Sequence, residues 1–266
     1  MKKASVALTL LLSLLLPAEA LACYGAAALG MGGAYTSVAK GVLAIYWNQA
    51  GLAFTDGQGE ASLTISSPPE QINYQSFAGI AAATQEGLGI GFGRTEAEQS
   101  WGHETWNTFA VGVRLADEFA VGGALRQVEG TARGTSLSYT STGMDFSAQY
   151  RGRLAEDRCL NLGLLVQDVG GPSDTDIYSQ NIRPSISLET DKVTLGFDLY
   201  NAAELEAYQV GLEVRPQGKQ GPLALRAGVY QDVVTFGGGV KVKDLFADVV
   251  AMPEWEVVQF TGGVRF

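Results

Sequence analysis

The last ten residues of the chain alternate. Val258, Phe260, Gly262, Val264 and Phe266 fall on one face of an extended strand, and Val257, Gln259, Thr261, Gly263 and Arg265 on the other. This period of two restricts the fold more than any other feature, because it places one face in an apolar medium and the other in a mostly polar one. Helical spacing would scatter both sets. The pattern recurs in Val234, Phe236, Val240 and Val242 against Thr235, Lys241 and Lys243. It recurs again in Val193, Leu195, Phe197 and Leu199 against Thr194, Asp198 and Tyr200, and in Tyr208, Val210, Leu212 and Val214 against Gln209, Glu213 and Arg215.

Fourteen such segments are expected, at about 60–68, 71–83, 88–95, 104–115, 118–129, 137–151, 158–168, 182–190, 192–201, 206–215, 222–231, 233–243, 244–252 and 255–266. That spacing, about 15 residues per strand plus connection, suits strands of roughly 9–11 residues tilted across a bilayer. Short turns are expected near Gln85-Glu86, Ala116-Asp117, 152–157, Asp191-Lys192, 217–221 and Lys243-Asp244. Longer connections are expected at 96–103, 130–136 and 169–181, with a Met252-Pro253-Glu254 bend and one tight turn at Asp232. Short turns on one side and longer loops on the other mark an outer-membrane barrel. A soluble β-sandwich also alternates, but it gives no reason for an exported chain to end on an aromatic-terminated strand. The fold class is therefore all-β, a transmembrane antiparallel β-barrel of about fourteen strands.

The beginning of the chain agrees. Residues 1–22 read as a secretory signal, with Lys2 and Lys3, an apolar stretch from Ala7 to Leu16 and a small-x-small site at Ala20-Leu21-Ala22. As a membrane anchor the stretch is too short, and Pro17 and Glu19 end it. Cys23 then opens the mature chain, either as a lipidated residue or as an ordinary thiol able to pair with Cys159 in an oxidising compartment.

Composition removes other classes. A formal charge of −10, from 18 Lys+Arg against 28 Asp+Glu, gives no footprint for nucleic acid. One His and two Cys supply no His/Cys metal cage, and no metal or cofactor is expected. The 34 glycines follow no Gly-X-Y repeat, and many fall at inward strand positions, including Gly89, Gly91, Gly112, Gly122, Gly196, Gly211, Gly228 and Gly263.

Residues 25–53 do not alternate. Gly30, Gly32 and Gly33 lack the spacing and the preceding strand of a dinucleotide loop. The run Ala28-Leu29-Gly30-Met31-Gly32-Gly33-Ala34-Tyr35-Thr36, followed by Ala44-Ile45-Tyr46-Trp47-Asn48-Gln49-Ala50-Gly51-Leu52-Ala53, resembles the mature N-terminus of FadL-like and PorV/PorQ-like outer-membrane proteins. Those families show a GARALGMGGAYTA block and then WNPAGLA. The resemblance covers about 29 residues, and three departures stand in it: Ala27 for Arg, Lys40-Gly41 for an acidic pair, and Gln49 for Pro, which loosens the turn before Ala50-Gly51. It implies a plug, or hatch, at about 23–59 with Gly30, Gly32, Gly33, Trp47, Asn48, Ala50 and Gly51 as its motif, inside a barrel formed by 60–266. In the fatty-acid transporters of the family a kinked third strand opens a lateral exit, so Gly89, Gly91 and Gly93 mark either such an opening or room for the plug. A fourteen-stranded barrel is too wide for its wall side chains to fill, which independently calls for an occupant.

Parity points Arg114, Arg126, Arg151, Arg215, Arg226 and Arg265 into the lumen with Asp145, Glu189, Asp198 and Glu213. They form either a structural ion network or a site for an anion such as a fatty-acid carboxylate. Ser100, His103 and Glu104 hold the residue types of a lipid esterase, but three neighbours on one loop are no arranged triad, and Trp101 and Trp106 read as interfacial anchors. No catalytic residue is assigned. The expected partners are outer-membrane lipids, a hydrophobic small molecule and the barrel assembly machinery, for which the terminal Phe266 resembles the recognition signal. The expected location is the outer membrane of a Gram-negative bacterium. The functional expectation is passage of hydrophobic small molecules; the alternative is a non-transporting, PorV-like partner of a secretion apparatus.

Overall fold

The structure is a computed structural model that describes residues 24–55, 57–67, 74–99, 102–134, 137–169, 180–203 and 207–266. The stretch expected as an export signal (1–22), Cys23, Ser100, Trp101 and residues 170–179 of the connection expected at 169–181 lie outside the described residues. Fourteen antiparallel strands close into a single barrel. In chain order they are β1 (Gly59–Ser67), β2 (Tyr74–Ala83), β3 (Leu88–Gln99), β4 (Gly102–Ala116), β5 (Phe119–Ala132), β6 (Ser138–Ala155) and β7 (Arg158–Val169). The second half is β8 (Asn181–Thr190), β9 (Val193–Tyr200), β10 (Ala207–Val214), β11 (Leu223–Tyr230), β12 (Val233–Val242), β13 (Leu245–Met252) and β14 (Val257–Arg265). Each pairs with its sequence neighbours, and β1 closes on β14 from Glu60↔Arg265 to Ser67↔Val258. The Phe266 and Gly59 backbones exchange two further bonds of 2.8 and 2.9 Å.

Alternation sets the two faces. Leu63, Phe109, Leu125, Phe146, Leu195 and Phe236 are among many large apolar side chains left exposed on the outside. On a soluble protein a continuous belt of this kind would be a large interaction patch, whereas around a closed barrel it matches lipid. Among the described residues no helix is long and apolar enough to cross a membrane.

The strand count and the short turns agree with the sequence reading, but β3 to β6 run longer than expected, to 12, 15, 14 and 18 residues. The connection expected at 96–103 is mostly ladder, with Glu96↔Thr105 and Glu98↔His103 paired. Beyond the apolar belt the outward side chains become polar, so alternation vanishes from the sequence while backbone pairing continues. There Glu96 accepts from Arg94 at 2.8 Å and Thr105 at 2.8 Å, and lies 3.0 Å from His103 Nε2. Similarly β6 runs on through Ala155, which shortens the turn expected at 152–157. The tight turn at Asp232 is as expected, with φ of +45° at Gln231 and +68° at Asp232, the pairing of a two-residue hairpin turn.

One seam is thinner. Pairing between β8 and β9 runs only from Glu189↔Thr194 to Ser185↔Asp198. It stops where Pro184 has no N–H to give, and resumes with Ala202 N–H donating to the Ile182 carbonyl at 2.8 Å.

Candidate functional site

Residues 24–55 lie inside the barrel as two short helices, α1 (Ala26–Gly30) and α2 (Ala44–Trp47), with 3-10 turns at Gly41–Leu43 and Gln49–Phe54. All but a few of these residues are buried. Glycine is what lets them fit. Gly32 has φ +60° and lies so close to the wall that a methyl group there would stand 2.5 Å from the Val210 carbonyl and the Val229 amide. From the wall side, Gly211 abuts the Met31 carbonyl, Gly228 the Gly32 amide, Gly196 the Ala34 carbonyl, and Gly237 the Gly30 Cα. Gly112 and Gly122 face Gln49 and Ala50 in the same manner. The plug main chain therefore rests on a belt of side-chain-free wall. Gly263 instead leaves space for the Phe246 ring.

Close approach would strand backbone polar groups unless the wall supplied partners. It does. Ala26 N–H donates to Thr261 Oγ1 at 2.9 Å, Thr36 N–H to Asp198 Oδ2 at 2.9 Å, Ser37 N–H to Ser185 Oγ at 3.0 Å and Ala50 N–H to Ser147 Oγ at 3.0 Å. In the other direction Arg114 donates to the Ala53 carbonyl at 2.7 Å and Arg151 to the Ala39 carbonyl at 3.1 Å. The guanidinium groups of both stand over the Phe54 ring, at 5.3 and 4.5 Å.

The turn carrying Gln49 in place of Pro is not loose. Asn48 Oδ1 accepts from Ala50 N–H at 3.2 Å, Asn48 Nδ2 donates to the Thr36 and Ala148 carbonyls at 3.0 Å each, and the buried Gln49 amide donates to the Ile45 carbonyl at 3.0 Å. Gly51 packs on the Ala39 carbonyl. Side-chain hydrogen bonds do here what a ring-fixed φ would do.

On the far side of the plug from the short turns is an aromatic nest. Tyr24 stacks on Phe77 at 4.2 Å with 15° between the planes and meets Tyr46 at 4.5 Å, and Trp47 Nε1 donates to the Tyr24 carbonyl at 2.9 Å. Arg183, wholly buried, lies between the rings of Trp47 and Tyr200 at 5.1 and 4.9 Å. Gly89, Gly91 and Gly93 lie where Leu52, Ile45 and Phe77 press on β3. The strand is paired without a shift to β4 from Leu88 to Gln99, and beside these glycines it is also paired to β2, from Ala83↔Gly89 to Gly79↔Gly93.

Near this nest Arg126 is buried and donates to Asp145 at 2.7 Å and Asp168 at 2.9 Å. Its guanidinium stands 5.2 Å from the Trp106 ring. Trp106 is thus an inward residue and not an interfacial anchor, because it shares parity with Glu104, to which its Nε1 donates at 2.9 Å. Tyr139 also donates to Glu104. The same alternation separates His103 from Glu104, which point to opposite faces of β4, so the two cannot act together on one substrate. Among the described residues Cys159 has no disulfide partner, and Cys23 lies outside them.

At the end bearing the short turns, which faces the periplasm in outer-membrane barrels, the plug leaves a cavity of about 220 Å³. Arg226 bridges Glu213 and Asp248 at 2.6 Å each, Arg215 reaches Glu213 at 3.0 Å and Glu189 at 3.6 Å, Lys219 meets Glu189 at 3.2 Å, and Arg265 meets Glu60 at 3.0 Å. The expected lumen charges therefore separate into three groups: plug clamps, a network beside the nest, and this vestibule. Asp198 accepts from the plug's Thr36 N–H and from Ser185. Arg183, Asp248, Glu60 and Lys219 were not singled out from the sequence, and Lys40 only as a departure from the family block; the parity that Arg183 shares with Ser185 and Ser187 was the signal that could have found it. No group of His, Cys, Asp and Glu able to hold a metal occurs among the described residues.

No protein-family model matches the sequence, and no curated protein matches it. Solved structures do match the fold. A deletion mutant of the monoaromatic hydrocarbon channel TodX superposes with a TM-score of 0.58 at 12% identity, covering 91% of this chain and 97% of that one. The Ralstonia pickettii toluene transporter TbuX gives 0.56 at 10% identity, covering 91% and 96%. A Pseudomonas aeruginosa FadL homologue gives 0.57 at 9% identity, covering 92% and 98%. At these identities the likeness is one of fold: the chain shares the barrel architecture of the FadL-type channels.

Proposed function

We propose that the protein is an outer-membrane channel for small hydrophobic molecules, closed at rest by residues 24–55. The observation that carries this reading is the aromatic nest. Tyr24, the first described residue, fills a site built from Phe77, Tyr46 and Trp47, a surface suited to a flat apolar molecule of similar size. A ligand entering from outside takes the place of the Tyr24 ring, and its contacts offset those lost as the chain end moves away. Two further observations support the reading. The wall beside the nest is thin, with Gly79 and Gly93 inside against Phe77 and an apolar groove bounded by Leu63, Ile80, Phe92 and Val264 outside. The solved barrels sharing this fold include ones named as a toluene transporter and a monoaromatic hydrocarbon channel.

The test is accumulation of radiolabelled toluene by a Gram-negative host lacking its own channels of this type. Expression of the wild-type chain raises uptake, and Tyr24→Ala raises it further, because the nest then stands empty. Uptake equal to that of the host without the protein rejects the proposal.

A further inference from the structure

The vestibule beneath the plug has the opposite electrostatic sign to the molecule that contains it. The chain as a whole carries −10. Among the described residues lining the cavity, seven cationic side chains face four carboxylates, a local balance of +3. The carboxylates are already engaged: Glu60, Glu189, Glu213 and Asp248 each sit within ion-pair distance of Arg265, Lys219 or Arg226. Glu60 also accepts from the Val42 N–H at 3.1 Å. Lys40 and Lys241 add positive charge to the lining beyond these pairs.

We propose that this vestibule binds an anionic carboxylate or phosphate group on the periplasmic side of the plug. Its volume of about 220 Å³ is many times the ~10–15 Å³ needed to hold one water, enough for such a group with part of its hydration shell. Low-dielectric walls concentrate the field of the cations on the cavity, and guanidinium groups match the geometry of both anions. Solvent reaches the site, since the Lys219 and Arg265 side chains at its rim are 43% and 33% exposed. The site does not depend on what crosses the plug, because its lining is complete in the closed state.

The ligand group has two possible sources, a small free solute or the head of an anionic amphiphile. Calorimetric titration of the full-length barrel in zwitterionic micelles separates them, with inorganic phosphate, acetate and hexanoate as probes. Phosphate binding with hexanoate no tighter than acetate identifies a free solute; hexanoate binding about tenfold tighter than acetate identifies an amphiphile head. In either case the double variant Lys40→Gln, Lys241→Gln weakens binding about tenfold, and Glu189→Gln strengthens it, a gain that misfolding cannot imitate. The proposal is overturned if none of the three probes binds at about 10 mM, or if both sets of variants bind as the wild type does.

Discussion

At the scale of single residues, the glycines decide whether the lumen holds its plug. Gly211 faces the Met31 carbonyl, whereas a methyl group added to Gly262, on the outward face of β14, would meet nothing within 4 Å. The two positions thus have opposite expectations. Gly211→Val forces the plug off the wall at a cost of about 1–3 kcal/mol for overpacking, and single-channel recordings should show larger and more frequent openings than the wild type. Gly262→Val should leave conductance and thermal stability as they were. Equal effects of the two substitutions would mean that the glycines serve only strand geometry. The inward positions of these glycines were legible from parity alone. Their contacts were not, because a period of two gives the face of a residue and says nothing of what lies against it. Trp106 shows the same limit from the other side: its type suggested the membrane interface, but its parity with Glu104 placed it in the lumen.

At the scale of elements, strands were readable where the outward face meets lipid and unreadable where that face turns polar. The upper reaches of β3 to β6 are the example, with Arg94, Glu96, His103 and Thr105 outward on a ladder that continues without a hydropathy signal. Charge insertion distinguishes the two regions. Val111→Lys, on the lipid face of β4, should cost about 2–4 kcal/mol in folding into vesicles if it lies near the bilayer midplane. Gln127→Lys, on the polar extension of β5, should cost close to nothing in the same denaturant titration. The plug was legible as a block that does not alternate, and its contents were not: no local pattern announces that Tyr24 stacks on Phe77 or that Arg183 stands on Trp47. These contacts join residues more than fifty positions apart, across a lumen that exists only once the barrel closes. The seam between β8 and β9 carries its own expectation. With ladder bonds missing beside Pro184, amides at Leu199 and Tyr200 should exchange with deuterium faster than those at 162–166 of β7, and uniform protection would mean that the seam is as tight as its neighbours.

At the scale of the molecule, the barrel, the glycine belt and the wall's hydrogen-bond donors and acceptors form one arrangement in which the plug is seated by its backbone and not by a few replaceable side chains. Passage of a hydrophobic molecule then requires the plug, or at least its leading end at Tyr24, to move. A reversible cross-link tests this most directly. Gly30 on α1 and Gly237 on β12 approach closely enough that a methyl group on Gly30 would lie 3.4 Å from the Gly237 Cα, within reach of a disulfide after Gly30→Cys and Gly237→Cys. With Cys23 and Cys159 replaced by Ser, toluene uptake by cells carrying this variant should fall to the level of the host alone under oxidising conditions and return when a membrane-permeant reductant is added. Uptake that continues unchanged with the cross-link formed would contradict the movement of the plug on which the proposed function depends.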